Sequence, residues 1–231
     1  MPTDAAAAAH RRLVREWLVA GGLGIALALV AGTALRTFVL GAVVVPSRSM
    51  SDTVIPGDRV LVSKLVVPRS FSIGVPFTGR SWTVTIPPLR TVHVGDVVVV
   101  RPPDGWIENP LERTAYLVKR CAGMPGDTLV FVRDVLTVNG RTFRLPAHAL
   151  QSFRPRVYRS TAGADTVVVP QGGYFLLGDN PGESMDSRIM GAVPAASVVG
   201  VAAMIYWSVD QEGVRQDERS VRWERIGRVV R

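Results

Sequence analysis

The chain reads as a mainly β protein behind a single N-terminal helix, and three features of the sequence point there. Trp17 to Leu35 is a run of nineteen residues without a charge. Beyond it, short valine- and aromatic-rich runs alternate with Pro/Gly turns, the grammar of strands joined by tight connections. No long apolar pattern with a helical period follows the first run. At 231 residues and 47% apolar content, the chain can bury a sizeable core as one domain with an elaboration.

The apolar run is long enough to cross a bilayer: nineteen residues at ~1.5 Å each give roughly 28 Å, close to the hydrocarbon thickness. Arg11, Arg12 and Arg15 precede it, partly offset by Asp4 and Glu16, and Arg36 follows it. Positive charge on the near side favours a cytoplasmic N-terminus and an exported remainder. Gly32-Thr33-Ala34 also offers the small residues of a signal cleavage site, but the run is long for a cleaved signal. A buried core helix is the other reading; apolarity all round, a charge at each boundary and the lack of a polar stripe favour the span over it.

Strand signals then succeed one another. Val54 to Val62 carries a Pro-Gly-Asp turn into a short strand, Asp96 to Arg101 is a buried-strand candidate ahead of Pro102-Pro103, and Ala115 to Arg120 is another. Val135 to Leu145 encloses Asn139-Gly140, the pair suited to a type I′ hairpin turn. Gly173 to Leu177 and Val198 to Trp207 supply further strands, and a Greek-key or barrel-like arrangement is expected. Residues 132–170 read as an elaboration around the hairpin. Within 64–94, Phe71, Val75, Pro76, Phe77, Trp82, Val84 and Ile86 alternate with Gly, Ser and Thr, as in a β extension whose apolar rim packs in the core or touches lipid.

Three stretches carry candidate chemistry. Val43-Val44-Val45-Pro46 favours extended backbone, which would set Ser47 and Ser49 on one face, one hydroxyl to attack a carbonyl and the other to hold the developing charge. Lys119 ends the apolar run Tyr116-Leu117-Val118, where desolvation would favour the neutral amine that a general base requires. Gly178-Asp179-Asn180-Pro181-Gly182-Glu183-Ser184-Met185-Asp186-Ser187-Arg188 is a loop that could present Ser184 to that lysine, with Asp186 and Arg188 paired to stiffen it. Each stretch alone is also an ordinary turn or strand end.

At these three stretches together, in this order, the sequence resembles the bacterial type I signal peptidases, membrane-bound Ser/Lys proteases that remove signal peptides from exported proteins. Pro46-Ser47-Arg48-Ser49-Met50 with Thr53 and Gly57-Asp58 is similar to the nucleophile box. Gly95-Asp96-Val97-Val98-Val99 is similar to the following strand, and Tyr116 to Arg120 with Gly123 and Pro125-Gly126-Asp127 to the lysine box. Gly178-Asp179-Asn180 with Ser184 to Arg188 resembles the last box, and Val221 to Gly227 the family's C-terminal end. Asp52 stands where the family has proline, and Gly182-Glu183 replaces a polar pair.

The resemblance implies Ser49 as nucleophile, Lys119 as general base, Ser184 as the residue orienting the lysine, and Ser47 with the Ser49 N–H as oxyanion donors. Asp186 and Arg188 become structural supports, and Val45, Met50, Val54, Leu117 and Val118 the expected substrate pocket. It implies a cytoplasmic N-terminus (1–16), a transmembrane helix (17–36), a signal-peptidase-like catalytic β domain (37–131 and 171–231) and a smaller inserted β subdomain (132–170). The expected partners are signal peptides of secreted preproteins, cut after Ala-x-Ala-type residues, and membrane lipid, with the catalytic domain outside the cell membrane.

Composition narrows the alternatives. The net charge of +8 comes from dispersed residues rather than a dense basic block, so lipid headgroups or solubility account for it better than nucleic acid. One cysteine, Cys121, excludes an internal disulfide framework, and His10, His93 and His148 make no short metal-binding pair; neither metal nor cofactor is expected. A non-catalytic anchored β domain would fit the architecture without using the serines, and a self-cleaving Ser/Lys repressor would lack the membrane span.

Overall fold

The computed structural model describes residues 4–51, 53–74, 79–103, 116–132, 135–143, 165–210 and 220–231. Asp52, Val75, Pro76, Phe77, His148 and most of the second half of the 132–170 elaboration lie outside the described residues. The chain forms two compact units, residues 1–40 and 41–231.

The first unit is helix α1, Asp4–Ala34, which runs into one π-helical turn, Leu35–Val39. Helix starts well before the first apolar residue because Ala5 to Ala9 are strong helix formers. Arg12–Val39 is long and apolar enough to cross a membrane, and none of its best window is buried within the protein. Trp17, Leu18 and Val30 are all largely exposed.

In the second unit, seven strands form one open sheet: β1 (Leu40–Val44), β2 (Asp58–Ser63), β5 (Val97–Val100), β6 (Leu117–Gly123), β11 (Gly173–Leu177), β12 (Val193–Pro194) and β13 (Val198–Ser208). Their order is β1-β2-β13-β5-β6-β11-β12. The sheet bends as a half-barrel, with register shifts along β13 where it meets β2 and β5. The four valines of β5 are explained by burial on both faces. Val97 and Val99 join Val43, Val45, Met50, Val54, Val60, Val62 and Val118, while Val98 and Val100 join Cys121, Leu176, Val193 and Val201.

A four-stranded sheet in the order β10-β7-β8-β9 combines β7 (Thr128–Val132), β8 (Val135–Val138), β9 (Arg141–Phe143) and β10 (Asp165–Val168). Its apolar face packs Leu129, Phe131, Leu136 and Phe143 against Phe175 and Leu177 of the larger sheet. Asn139 (φ 50) and Gly140 (φ 77) both take the left-handed conformation, as a type I′ turn demands. Strands β3 (Arg69–Gly74) and β4 (Ser81–Ile86) pair with each other as a separate ribbon. Trp82, Val84 and Ile86 are exposed, so of the two readings of this stretch, core packing does not hold for these three residues.

Candidate active site

Ser49 sits just past β1, but the extended backbone ends before it. Ser47 to Met50 form a bend and turn in which both the N–H and the hydroxyl of Ser51 donate to Arg48 O, and the N–H groups of Thr53 and Val54 donate to Met50 O. The two hydroxyls still meet, with Ser47 Oγ 3.2 Å from Ser49 Oγ. They meet through the turn rather than through strand alternation, because the Ser51 and Thr53 hydrogen bonds stabilise a reversal that valine preferences do not encode.

Lys119 is the third residue of β6, paired to Val98 of β5, and only 2% exposed. Its Nζ donates to Ser184 Oγ at 2.9 Å. Burial pushes its ammonium down from the usual 10.5 to about 8; Asp186 and Asp179 oppose the shift and Arg188 adds to it. Each is a charge–charge effect on the protonated form. Ser49 Oγ is paired to Ser47 and Lys119 Nζ to Ser184 rather than to each other.

What brings the serine and the lysine together is the loop after β11. Asn180 N donates to Ser49 O (3.0 Å) and Asn180 Nδ2 to Arg48 O (3.1 Å). Gly178 is the point of closest approach: a Cβ there would lie 2.6 Å from Ser49 O and would overlap Ser184 Oγ. The loop is stiffened by Asp186, which pairs two-pronged with Arg188 (2.8 and 2.7 Å), accepts from Gly178 N (2.9 Å) and caps helix α2 (Ser187–Met190). Ser187 Oγ accepts from Leu176 N, tying the loop back to β11.

A second buried pair braces the same region. Arg120, next to Lys119, makes a two-pronged ion pair with Asp179 (2.7 and 2.6 Å) and donates to Gly95 O and Thr53 Oγ1. Nothing local in the sequence marks Arg120 and Asp179 as partners, because a pair 59 residues apart leaves no periodic pattern. Of the expected pocket residues, Val45, Met50, Val54 and Val118 share one buried cluster; Leu117 packs with the cluster on the other face of the sheet, as alternation along β6 requires.

Rival groups are differently placed. His93 is mostly exposed and lies against Arg90 and Asp96. Cys121 is fully buried and its thiol is pushed up to about 12 by burial, which makes it inert as a nucleophile.

A family model described as signal peptidase, peptidase S26 matches residues 14–207. The signal peptidase I of Mycobacterium tuberculosis H37Rv is 31% identical, over 92% of this chain and 79% of its own length. That of Leptolyngbya laminosa is also 31% identical, over 85% and 83%, and signal peptidase I P of Bacillus subtilis subsp. natto is 29% identical over 85% and 90%. Among solved structures, a signal peptidase I from Enterococcus faecalis V583 aligns at 28% identity and a TM-score of 0.36, covering 48% of this chain and 97% of that one.

Proposed function

Because this chain belongs to the peptidase S26 family of signal peptidases, we propose that it cleaves signal peptides with a Ser49/Lys119 dyad, anchored by α1 with its β unit outside the membrane. The observation that carries the reading is a fully buried lysine whose ammonium is shifted down to about 8 and whose Nζ is held by Ser184 beside the Ser49 turn. At pH 7, about one such lysine in ten is neutral, against roughly one in three thousand at the ordinary value.

In the reaction, Lys119 Nζ takes the Ser49 proton as Oγ attacks the scissile carbonyl. The oxyanion is held by the Ser47 hydroxyl, which turns from Ser49 Oγ to the new charge, and by the Ser49 N–H. Collapse breaks the peptide bond, Lys119 returns the proton to the departing amine of the mature protein, and the signal peptide remains as an ester on Ser49. Water, deprotonated by Lys119, then hydrolyses the ester. The mechanism does not need a Ser49–Lys119 hydrogen bond before substrate arrives, since catalytic hydrogen bonds often tighten only with substrate bound.

Two open edges offer the substrate a place. Strand β1 ends the seven-stranded sheet. The β11 partner of β6 stops at the Leu177–Arg120 pair, so Leu117 to Lys119 have no strand on that side among the described residues. Val43 of β1, Val45 just past it and Val118 of β6 converge on one cluster, and an extended peptide between them could pair with both edges. Its alternate side chains would face the same way, towards the cluster of Val45, Met50 and Val54, and on this reading small Ala-x-Ala-type residues are taken there.

The test is incubation of one secretory precursor with the full-length protein in lipid vesicles, reading the new N-terminus. Cleavage after a small residue that is lost in Ser49→Ala and Lys119→Ala is expected, and in Ser47→Ala kcat should fall roughly 10²- to 10³-fold with little change in KM. Unimpaired cleavage by correctly folded Lys119→Ala would defeat the dyad.

A further inference from the structure

The turn that carries Ser49 is held from behind by residues more than 160 positions away. Thr53 is its node. Its N–H donates to Met50 O (2.9 Å), its hydroxyl joins Asp179 and Arg120, and its carbonyl oxygen accepts from Arg225 Nη2 at 3.2 Å. The same guanidinium grips Asp58 with both prongs, 2.6 Å from Nη2 to Oδ2 and 2.9 Å from Nε to Oδ1. Asp58 is fully buried. It also accepts from Ile55 N (2.9 Å) and from the Ser208 hydroxyl (2.7 Å). Three residues before Arg225, Arg222 Nη1 donates to Pro56 O at 3.0 Å.

The segment that delivers these arginines is itself tied to the sheet. Gly227 N and Val230 N donate to Ile205 O and Ala203 O of β13, and Ile205 N donates to Arg228 O. Val230 is buried in the cluster that contains Met50 and Val54. Arg120, whose Nη2 also donates to Asp179, donates from that nitrogen to the main-chain oxygen of Arg231 at 3.0 Å.

We propose that Arg225 is a positioning residue for Ser49: by holding Thr53 O and Asp58 together, it fixes the turn whose first residues place the nucleophile before Lys119. The inference rests on the reading of Ser49 as nucleophile. A planar guanidinium suits the task because its fork can satisfy a carboxylate and a carbonyl at once, whereas a lysine ammonium keeps the charge but not the fork. A turn loosened by even 1 Å can cost ~10²-fold in rate with the substrate contacts intact.

The experiment compares full-length wild type, Arg225→Lys, Arg225→Met and Ser49→Ala in lipid vesicles on one secretory precursor, measuring kcat, KM, their pH dependence and Tm. Arg225→Lys keeps a cation beside Asp58, and its Tm should stay near wild type while kcat drops roughly 10- to 100-fold at unchanged KM. The midpoint of the acid limb should stay put, because the charges that move Lys119 are Asp186, Arg188 and Asp179. Arg225→Met should show the same kcat loss with a lower Tm. Wild-type kcat in Arg225→Lys, a rise in KM alone, or loss of the folded state in both variants would overturn the positioning role. Full cleavage by Ser49→Ala would remove the inference together with the reading it rests on; inactive Ser49→Ala beside fully active Arg225→Lys overturns the inference only.

Discussion

A lysine buried to 2% exposure, with no carboxylate directly bound to it among the described residues, is a cost to the fold. The folded value near 8 lies below the ordinary 10.5, so between those two pH values the unfolded chain binds more protons than the folded one. Stability therefore rises with pH across that window, and below it the buried ammonium costs roughly 3 kcal/mol. Lys119→Met should remove that cost at the expense of about 1 kcal/mol for the hydrogen bond to Ser184. A Tm higher by about 4–8 °C at pH 7, with the gap closing towards pH 10, is the expected result of thermal denaturation. Gly178 is the opposite case, a residue whose value is the atom it lacks. A Cβ there would overlap Ser184 and press on Ser49 O, so Gly178→Ala should cost about 1–3 kcal/mol in overpacking and lower kcat at least tenfold, measured by Tm and precursor cleavage. Neither property is written in the residue itself. That Lys119 is in a strand is legible from Tyr116-Leu117-Val118; that it is shielded on every side depends on β5, on Ser184 and on the loop after β11 closing over it.

Among elements, those with strong local chemistry were legible and those made by long-range pairing were not. The Asn139-Gly140 hairpin and the double-sided burial of Val97–Val100 follow from turn conformation and a continuous apolar run. The turn at Ser47–Met50 does not follow from the three valines before it, because it is set by bonds to Arg48 O and Met50 O and by Asn180, 132 residues from Arg48. The β3–β4 ribbon shows a third case, in which alternation reveals a strand but not what its apolar face meets. Ser70 and Ser72 bond across to Thr85 and Thr83 on one face, while Trp82, Val84 and Ile86 alternate with these threonines and stand exposed. Lipid contact is the proposal for that face, since indole rings favour the bilayer interface. In vesicles containing brominated lipid, quenching of tryptophan fluorescence should diminish in Trp82→Ser with Tm almost unchanged, as expected of an exposed side chain. Undiminished quenching would place Trp82 in water.

At the scale of the molecule, the candidate site is an agreement between distant segments: the turn after β1, the middle of β6, the loop after β11 and the segment Trp223–Arg231, each held by buried ion pairs. The order of the serine and lysine boxes could be read along the chain, but the pairs Arg120–Asp179 and Asp58–Arg225 could not, because charges 59 and 167 residues apart have no periodicity to betray them. Burial in this assembly lowers the Lys119 ammonium to about 8, which suits it to the proposed role of base near neutrality. The measurement that tests this most directly is the pH dependence of kcat/KM for the full-length protein on a secretory precursor. In the proposed dyad the neutral amine is the active form, so the rate should climb about tenfold per pH step below 7, bend near 8 and level off above 9. A profile flat from pH 6 to 9, or an acid limb that moves in His93→Gln, would contradict it.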